Sequence, residues 1–164
     1  MDLEERVGRL EDEREILSTM HQYAHTNDYG GLEEFLDCFT EDGVWERQRR
    51  DVPSQQEPAR SFAGREGLTR FYNSHNRAPD IYYKHLLVEP RITVSGDKAD
   101  VVSYFVKIDE HPDGPYIYAF GRYRDRLIRC PDGRWRFRHR LAETEQVRVK
   151  EWTAQHDHGA THRS

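Results

Sequence analysis

Apolar positions recur at helical spacing through the opening of the chain. Leu3, Val7, Leu10, Ile16, Leu17, Met20 and Tyr23 fall on one side, with Glu and Arg on the other. Asn27-Asp28-Tyr29-Gly30-Gly31 breaks that pattern: glycine supplies a left-handed stop, and Asp or Asn can cap the next helix. Leu32, Phe35, Leu36 and Phe39 then predict a short second helix, closed by a turn at Thr40-Glu41-Asp42-Gly43. Val44 to Arg47 reads as a strand, and the polar run from Arg49 to Arg60, with Pro53 and Pro58, as a loop. Gly64-Arg65-Glu66-Gly67 opens a third helix whose inner face carries Leu68, Phe71 and Tyr72.

From Ile81 onward the period changes to that of strands. Four runs are predicted, Ile81–Val94, Ala99–Ile108, Tyr116–Arg129 and Trp135–Val147, with turns at Ser95-Gly96-Asp97, His111-Pro112-Asp113-Gly114 and Pro131-Asp132-Gly133. Long strands joined by tight turns make a curved antiparallel sheet, and Pro90 marks a bulge or a break in the first of them. Helices first and strands afterwards give an α+β domain. With about three N-terminal helices packed over the concave face, the product is a cone open at one end. One domain is expected over residues 1–150, followed by a polar, disordered tail over 151–164 whose histidines make poor candidates for a metal site.

Composition narrows the partners. Only 35% of residues are hydrophobic and 34% are charged, but 12% are aromatic, a supply suited to cavity walls as well as to a core. A net charge of -5 argues against nucleic acid as the main partner, and the Arg-rich stretch from Arg122 to Arg140 alternates as a solvated sheet face or subunit contact does. Cys38 and Cys130 are too few for a disulfide framework; Cys38 is expected to be a buried, reduced thiol on the second helix. MDLEERVGRLEDEREI has no apolar run, so no signal peptide is expected, and no stretch suits a membrane span. The expectation is a cytoplasmic protein.

The order of elements, together with the segments LEDEREI, HQYAHTND, LEEFLDCFTEDGVWE and GREGL, resembles the SnoaL-like branch of the nuclear transport factor two-like superfamily. The resemblance spans roughly residues 2 to 150, and within the branch the pattern is most similar to scytalone dehydratase and bile-acid 7-alpha-dehydratase. It rests on Tyr23 and Asp28 at the end of the first helix, His85 early in the first long strand, and Glu143-Thr144-Glu145-Gln146-Val147-Arg148 in the last. One departure is notable: the resemblance to scytalone dehydratase implies a two-histidine site, yet Ser103, Tyr104 and Phe105 stand on the following strand here. His111 lies in a turn.

The chemistry expected of these residues is proton transfer. An imidazole in an apolar cavity, oriented by a carboxylate, removes a proton near neutral pH. His85 is the expected base, Asp28 its partner, and the Tyr23 hydroxyl a donor to the developing enolate oxygen. Asp28 also suits the N-cap of the second helix, His85 a satisfied core position, and Tyr23 a plain helix-face aromatic. Arg148 is a candidate for binding a substrate carboxylate or phenolate, or for pairing with Glu143; Tyr104, Tyr118 and Asn76 are candidate cavity liners.

No metal site is expected, since His21 and His25 share an i, i+4 spacing without an acidic third ligand. Without a phosphate loop, nucleophile elbow or dinucleotide fingerprint, no cofactor is expected either. The leading expectation is therefore a cofactor-independent lyase or isomerase, dehydratase- or cyclase-like, acting on a hydrophobic oxygenated ring such as a polyketide or steroid-like compound. The alternatives are a non-catalytic small subunit of a ring-hydroxylating dioxygenase, or a small-molecule binding protein. A homo-oligomer, trimer or dimer, is expected.

Overall fold

A computed structural model describes residues 2–53 and 56–148. The first helix, α1, runs Leu3–Tyr29 and starts on a capping box: the Asp2 side chain accepts from the Glu5 amide while Glu5 reaches back to the Asp2 amide. It ends where Gly30 takes φ 106° and donates its N–H to the Thr26 carbonyl. At 27 residues it is about 40 Å long. Leu3, Val7 and Leu10, expected on the packed face, stay exposed, and burial begins at Ile16. From Ile16 onward α1 packs on the sheet, and before that Asp12 accepts from Arg129 and from the Trp135 indole at the ends of two later strands.

The second helix, α2, is Leu32–Leu36, shorter than its apolar pattern predicts. Its N-cap is Gly31 with no side-chain cap, so Asp28 belongs to the last turn of α1 and not to the start of α2. Cys38 follows α2, buried and free as a thiol, and donates to the Glu34 carbonyl. Strand β1 covers Phe39–Arg49. The predicted turn at Thr40–Gly43 is a bulge inside this strand, because Phe39 and Val44 both pair with the last strand across a register shift. Arg60–Ala63, expected to border a loop, forms β2 against β1. Helix α3 then occupies Gly64–Asn73.

Strands β3 (Tyr83–Ser95), β4 (Lys98–Asp109), β5 (Tyr116–Arg129) and β6 (Trp135–Val147) make three antiparallel hairpin pairs. The ladder of β3 and β4 shifts register between Val88 and Arg91, around Pro90 as its ring requires. The six-stranded order is β2-β1-β6-β5-β4-β3. One pair departs from an all-antiparallel sheet: β1 lies parallel to β6, an arrangement that needs a long crossover between them and not a hairpin. The result is an α+β fold, three helices against a curved, unclosed sheet.

The core fills the space between helices and sheet, with Phe35, Phe39, Phe71 and Phe137 at its centre. Each burial of a large apolar side chain contributes about 1.5–3 kcal/mol. The Arg-rich stretch is mostly ion-paired: Arg122 and Arg124 meet Glu143, and Arg134 and Arg136 meet Asp37. Arg140, expected on a solvated face, is instead fully buried against Asp125. Its strand parity points it inward, where an acid directly opposite on β5 makes burial tolerable.

Candidate active site

Helix α1, the end of α3 and the concave side of the sheet enclose a cavity of about 200 Å³. Tyr23, Trp45, Phe71, Phe105 and Tyr123 form its aromatic wall. Asn27, His75, His85, Lys107 and Thr144 bring polar groups to it.

Asp28 and His85, 57 residues apart in sequence, meet at the rim. Asp28 Oδ1 lies 2.6 Å from His85 Nδ1, and Oδ2 accepts the His85 backbone N–H at 3.0 Å. Both carboxylate oxygens thus hold one residue. The pair is nearly dry, with side-chain exposure of 14% for His85 and 5% for Asp28. An ionised carboxylate only accepts, so Nδ1 carries the proton and Nε2 of a neutral ring is left with a lone pair. Tyr83, two residues before His85, fixes the strand to the helix by donating from its hydroxyl to the carbonyls of Asn76 and Asn27. Burial pushes its phenol up to about 12.

Asn27 precedes Asp28 and is 3% exposed. Its Nδ2 lies 3.4 Å from His85 Nδ1, but two donors cannot bond each other. Its Oδ1 is buried without a protein partner among the described residues. A buried amide facing a cavity in this state is suited to a ligand's polar group.

A second imidazole comes from an unforeseen place. His75, just past α3, lines the same cavity and donates from Nδ1 to the Phe71 carbonyl at 2.9 Å. Burial lowers its pKa, the Phe71 carbonyl opposes that, and the neighbouring His85, Lys107 and Arg77 lower it further. His75 is therefore neutral, with Nε2 as an acceptor. The signal lay in the spacing: Leu68, Phe71, Tyr72 and His75 fall at i, i+3, i+4 and i+7, which carries the inner face of α3 just past its end. Lys107 was equally legible by parity, since Val101, Ser103 and Phe105 are buried on β4 and Lys107 is the next inward position.

Tyr23 lines the cavity from beneath, 2% exposed. Its hydroxyl accepts the Trp45 indole N–H at 2.8 Å and neighbours the Tyr123 hydroxyl. Burial raises its pKa well above 10, as does Tyr123, outweighing the nearby Arg140. It is a permanently neutral phenol held in a network.

The other expected liners divide. Tyr118 does line the cavity: the ladder of β4 and β5 slips between Lys107 and Ile108, leaving Tyr118 unpaired and turned toward the opening. Tyr104 is 51% exposed on the outer face, because its parity is opposite to that of Phe105. The Asn76 side chain is exposed, and only its carbonyl takes part, through Tyr83. Arg148 lies beside a shallower hollow with its guanidinium 4.5 Å from the Tyr116 ring centre. Glu143, its expected partner, is engaged by Arg50, Arg122 and Arg124. His21 and His25 are exposed, and the described residues contain no group of three or more His, Cys, Asp or Glu able to hold a metal ion. The expected tail at 151–164 lies outside the described residues.

These features define the class: the chain belongs to the SnoaL-like family, whose domain model matches residues 8–141. Several solved structures share the fold. A nuclear transport factor two-like protein with a cystatin-like fold from Novosphingobium aromaticivorans is 20% identical, with a TM-score of 0.76 and coverage of 92% of this chain and 93% of that one. A protein from the same organism, provisionally described as the beta subunit of an aromatic-ring-hydroxylating dioxygenase, is 21% identical, with a TM-score of 0.69 and coverage of 87% and 94%. ActVI-ORFA from Streptomyces coelicolor is 22% identical, with a TM-score of 0.67 and coverage of 82% and 98%. No curated protein sequence matches the chain. No described helix is long and apolar enough to cross a membrane.

Proposed function

We propose that the protein is a cofactor-independent lyase or isomerase that removes a proton beside a carbonyl on a small hydrophobic ring compound. The observation that carries this reading is the two-point grip of Asp28 on His85 at the edge of an aromatic cavity. The Asp28 carboxylate fixes the ring's tautomer and stabilises the imidazolium formed when Nε2 takes the proton. The C–H electron pair becomes the new carbon–carbon double bond, and the carbonyl π pair moves to oxygen as an enolate. Re-formation of the carbonyl then expels a β-hydroxyl, which leaves as water with the proton that His85 holds. Where no leaving group stands at that position and a carbon–carbon double bond is conjugated with the enolate, returning the proton to the far end of that dienolate shifts the double bond and gives isomerisation.

Size restricts the substrate. An engineered cavity of about 150 Å³ holds one benzene ring. A cavity of about 200 Å³ therefore encloses one ring or a compact bicycle. A steroid-sized compound has to project through the opening.

Incubating the protein with small cyclic β-hydroxy ketones, and following water loss by mass spectrometry, tests the reading. His85→Ala and Asp28→Asn should each lower the rate at least about a hundredfold while far-UV circular dichroism stays native. Undiminished turnover by either folded variant would refute it.

A separate observation favours self-association. Leu86, Val88, Tyr104 and Phe120 are 36–51% exposed on the outer face of neighbouring strands. We read this face as the contact of a dimer or trimer, testable by sedimentation equilibrium. The same face would serve a larger partner if the chain acts as a non-catalytic subunit, in which case the two substitutions above change nothing measurable.

A further inference from the structure

A base alone does not hold an enolate; a positive or hydrogen-bond-donating group must meet the oxygen as it gains charge. The Tyr23 hydroxyl is already engaged within the wall, accepting the Trp45 indole N–H beside the Tyr123 hydroxyl. Lys107 is better placed. It stands directly opposite His85 in the register of β3 and β4, so both side chains leave the same face about 5 Å apart at Cβ. Its Nζ lies 4.5 Å from the ring centres of both Tyr83 and Tyr118, and 2.7 Å from Asp109 Oδ1. An ammonium has three N–H donors, so the single carboxylate leaves hydrogen-bonding capacity for a ligand.

The charge balance of the wall points the same way. Among the described residues that line the cavity there is no Asp or Glu, and the cations are Lys107 and Arg47. Arg47 is paired with Glu57, which also holds Arg49 at 2.9 Å. Lys107 is thus the cation beside the base, one-fifth exposed against an aromatic wall, where a charge-assisted bond is stronger than in open water.

We propose that Lys107 binds an oxyanion on the substrate. The substrate class is then a ring ketone whose enolate oxygen meets the ammonium while His85 takes the proton from the adjacent carbon. This rests on the proposed role of His85, but it can be tested without turnover.

The probe is 4-nitrophenol, whose absorbance reports its own ionisation, titrated at equilibrium in wild-type protein and in four variants. The wild type should bind the phenolate about tenfold or more tighter than the phenol, the size of one charge-assisted hydrogen bond, lowering the apparent pKa of the bound probe by about one unit. Lys107→Met should reduce this preference to below about threefold, and Lys107→Arg should retain it. Arg47→Met should leave it intact, which separates the effect from the cavity's general charge. Asp28→Asn deletes a negative charge beside the cavity and should not reduce the preference, whereas it should abolish proton abstraction, so failure of the base and failure of the oxyanion site give different results. No phenolate preference in the wild type, or an undiminished one in Lys107→Met, overturns the proposal.

Discussion

Among the described residues, removing Asp125 should cost more stability than removing any other single carboxylate. Asp125 and Arg140 face each other across β5 and β6 and form a two-point pair, Nε to Oδ1 at 2.9 Å and Nη2 to Oδ2 at 2.7 Å. Their side chains are 0% and 1% exposed. The guanidinium carbon lies 4.0–4.2 Å from the ring centres of Tyr23, Tyr123 and Phe137. Burial opposes the Arg140 charge, but the Asp125 carboxylate more than offsets it, so the group is held firmly protonated. Asp125→Ala leaves that charge in an aromatic box with no acid, a loss of about 3–5 kcal/mol. Small domains have about 5–15 kcal/mol in total, so the fraction is large.

The pair itself is a different matter. Desolvating two ions consumes most of what their attraction returns, so Asp125→Val with Arg140→Met should lie within about 1 kcal/mol of wild type. Urea unfolding, followed by far-UV circular dichroism and by tryptophan fluorescence, measures Asp125→Ala and all four corners of the cycle made by Asp125→Val and Arg140→Met. A loss under about 1.5 kcal/mol for Asp125→Ala, or a double variant whose loss equals the sum of the singles, would refute the reasoning. Since Tyr23 and Tyr123 rest on this guanidinium and also line the cavity, the single variant should weaken ligand binding too.

Two further predictions concern neighbouring structure. His75 binds its proton less readily folded than unfolded, so its contribution to stability is complete above pH 6.5 and is lost as pH falls from there through the lower folded value. The groups facing it are the Phe71 carbonyl, the Ser74 hydroxyl, His85, Lys107 and Arg77. Melting temperatures between about pH 7.5 and pH 5 should fall less steeply in His75→Gln than in wild type, and parallel curves would contradict this assignment. Gly121→Ala should cost about 3 kcal/mol or more by urea unfolding, because its Cβ would stand 2.0 Å from the Glu143 carbonyl oxygen where β5 and β6 slip register. A loss below about 1 kcal/mol would show that the strands can separate there.

Local signals were legible in the sequence, and long-range ones were not. Strands β5 and β6 coincide with their apolar runs, because the turns at His111–Gly114 and Pro131–Gly133 mark where each begins and alternation leaves no other register. The extent of α2 is ambiguous in sequence, since Leu32 to Phe39 suits a helix face equally well before β6 claims Phe39 as a strand partner. The parallel pairing of β1 was invisible, being a long-range contact with no composition of its own. In the cavity, the sequence pointed to Asp28 and His85 through the resemblance, and the structure brings them to 2.6 Å. Asn27, His75 and Lys107 needed only periodicity counted one position further along α1, α3 and β4. Tyr104 turns to the outer face, because aromatic chemistry marks a residue without saying which side of its strand it occupies, and Arg148 lies at a neighbouring hollow shared with Tyr118 and Val147.

Hydrogen–deuterium exchange at the carbon beside a carbonyl examines the proposed proton abstraction without knowledge of the natural substrate. Cyclohexanone and a small bicyclic ketone, each in deuterated buffer with the protein, can be followed by loss of the α-proton signal in NMR. The account predicts that wild-type protein accelerates exchange at least about a hundredfold over Asp28→Asn and His85→Gln. Equal exchange rates in all three would contradict it.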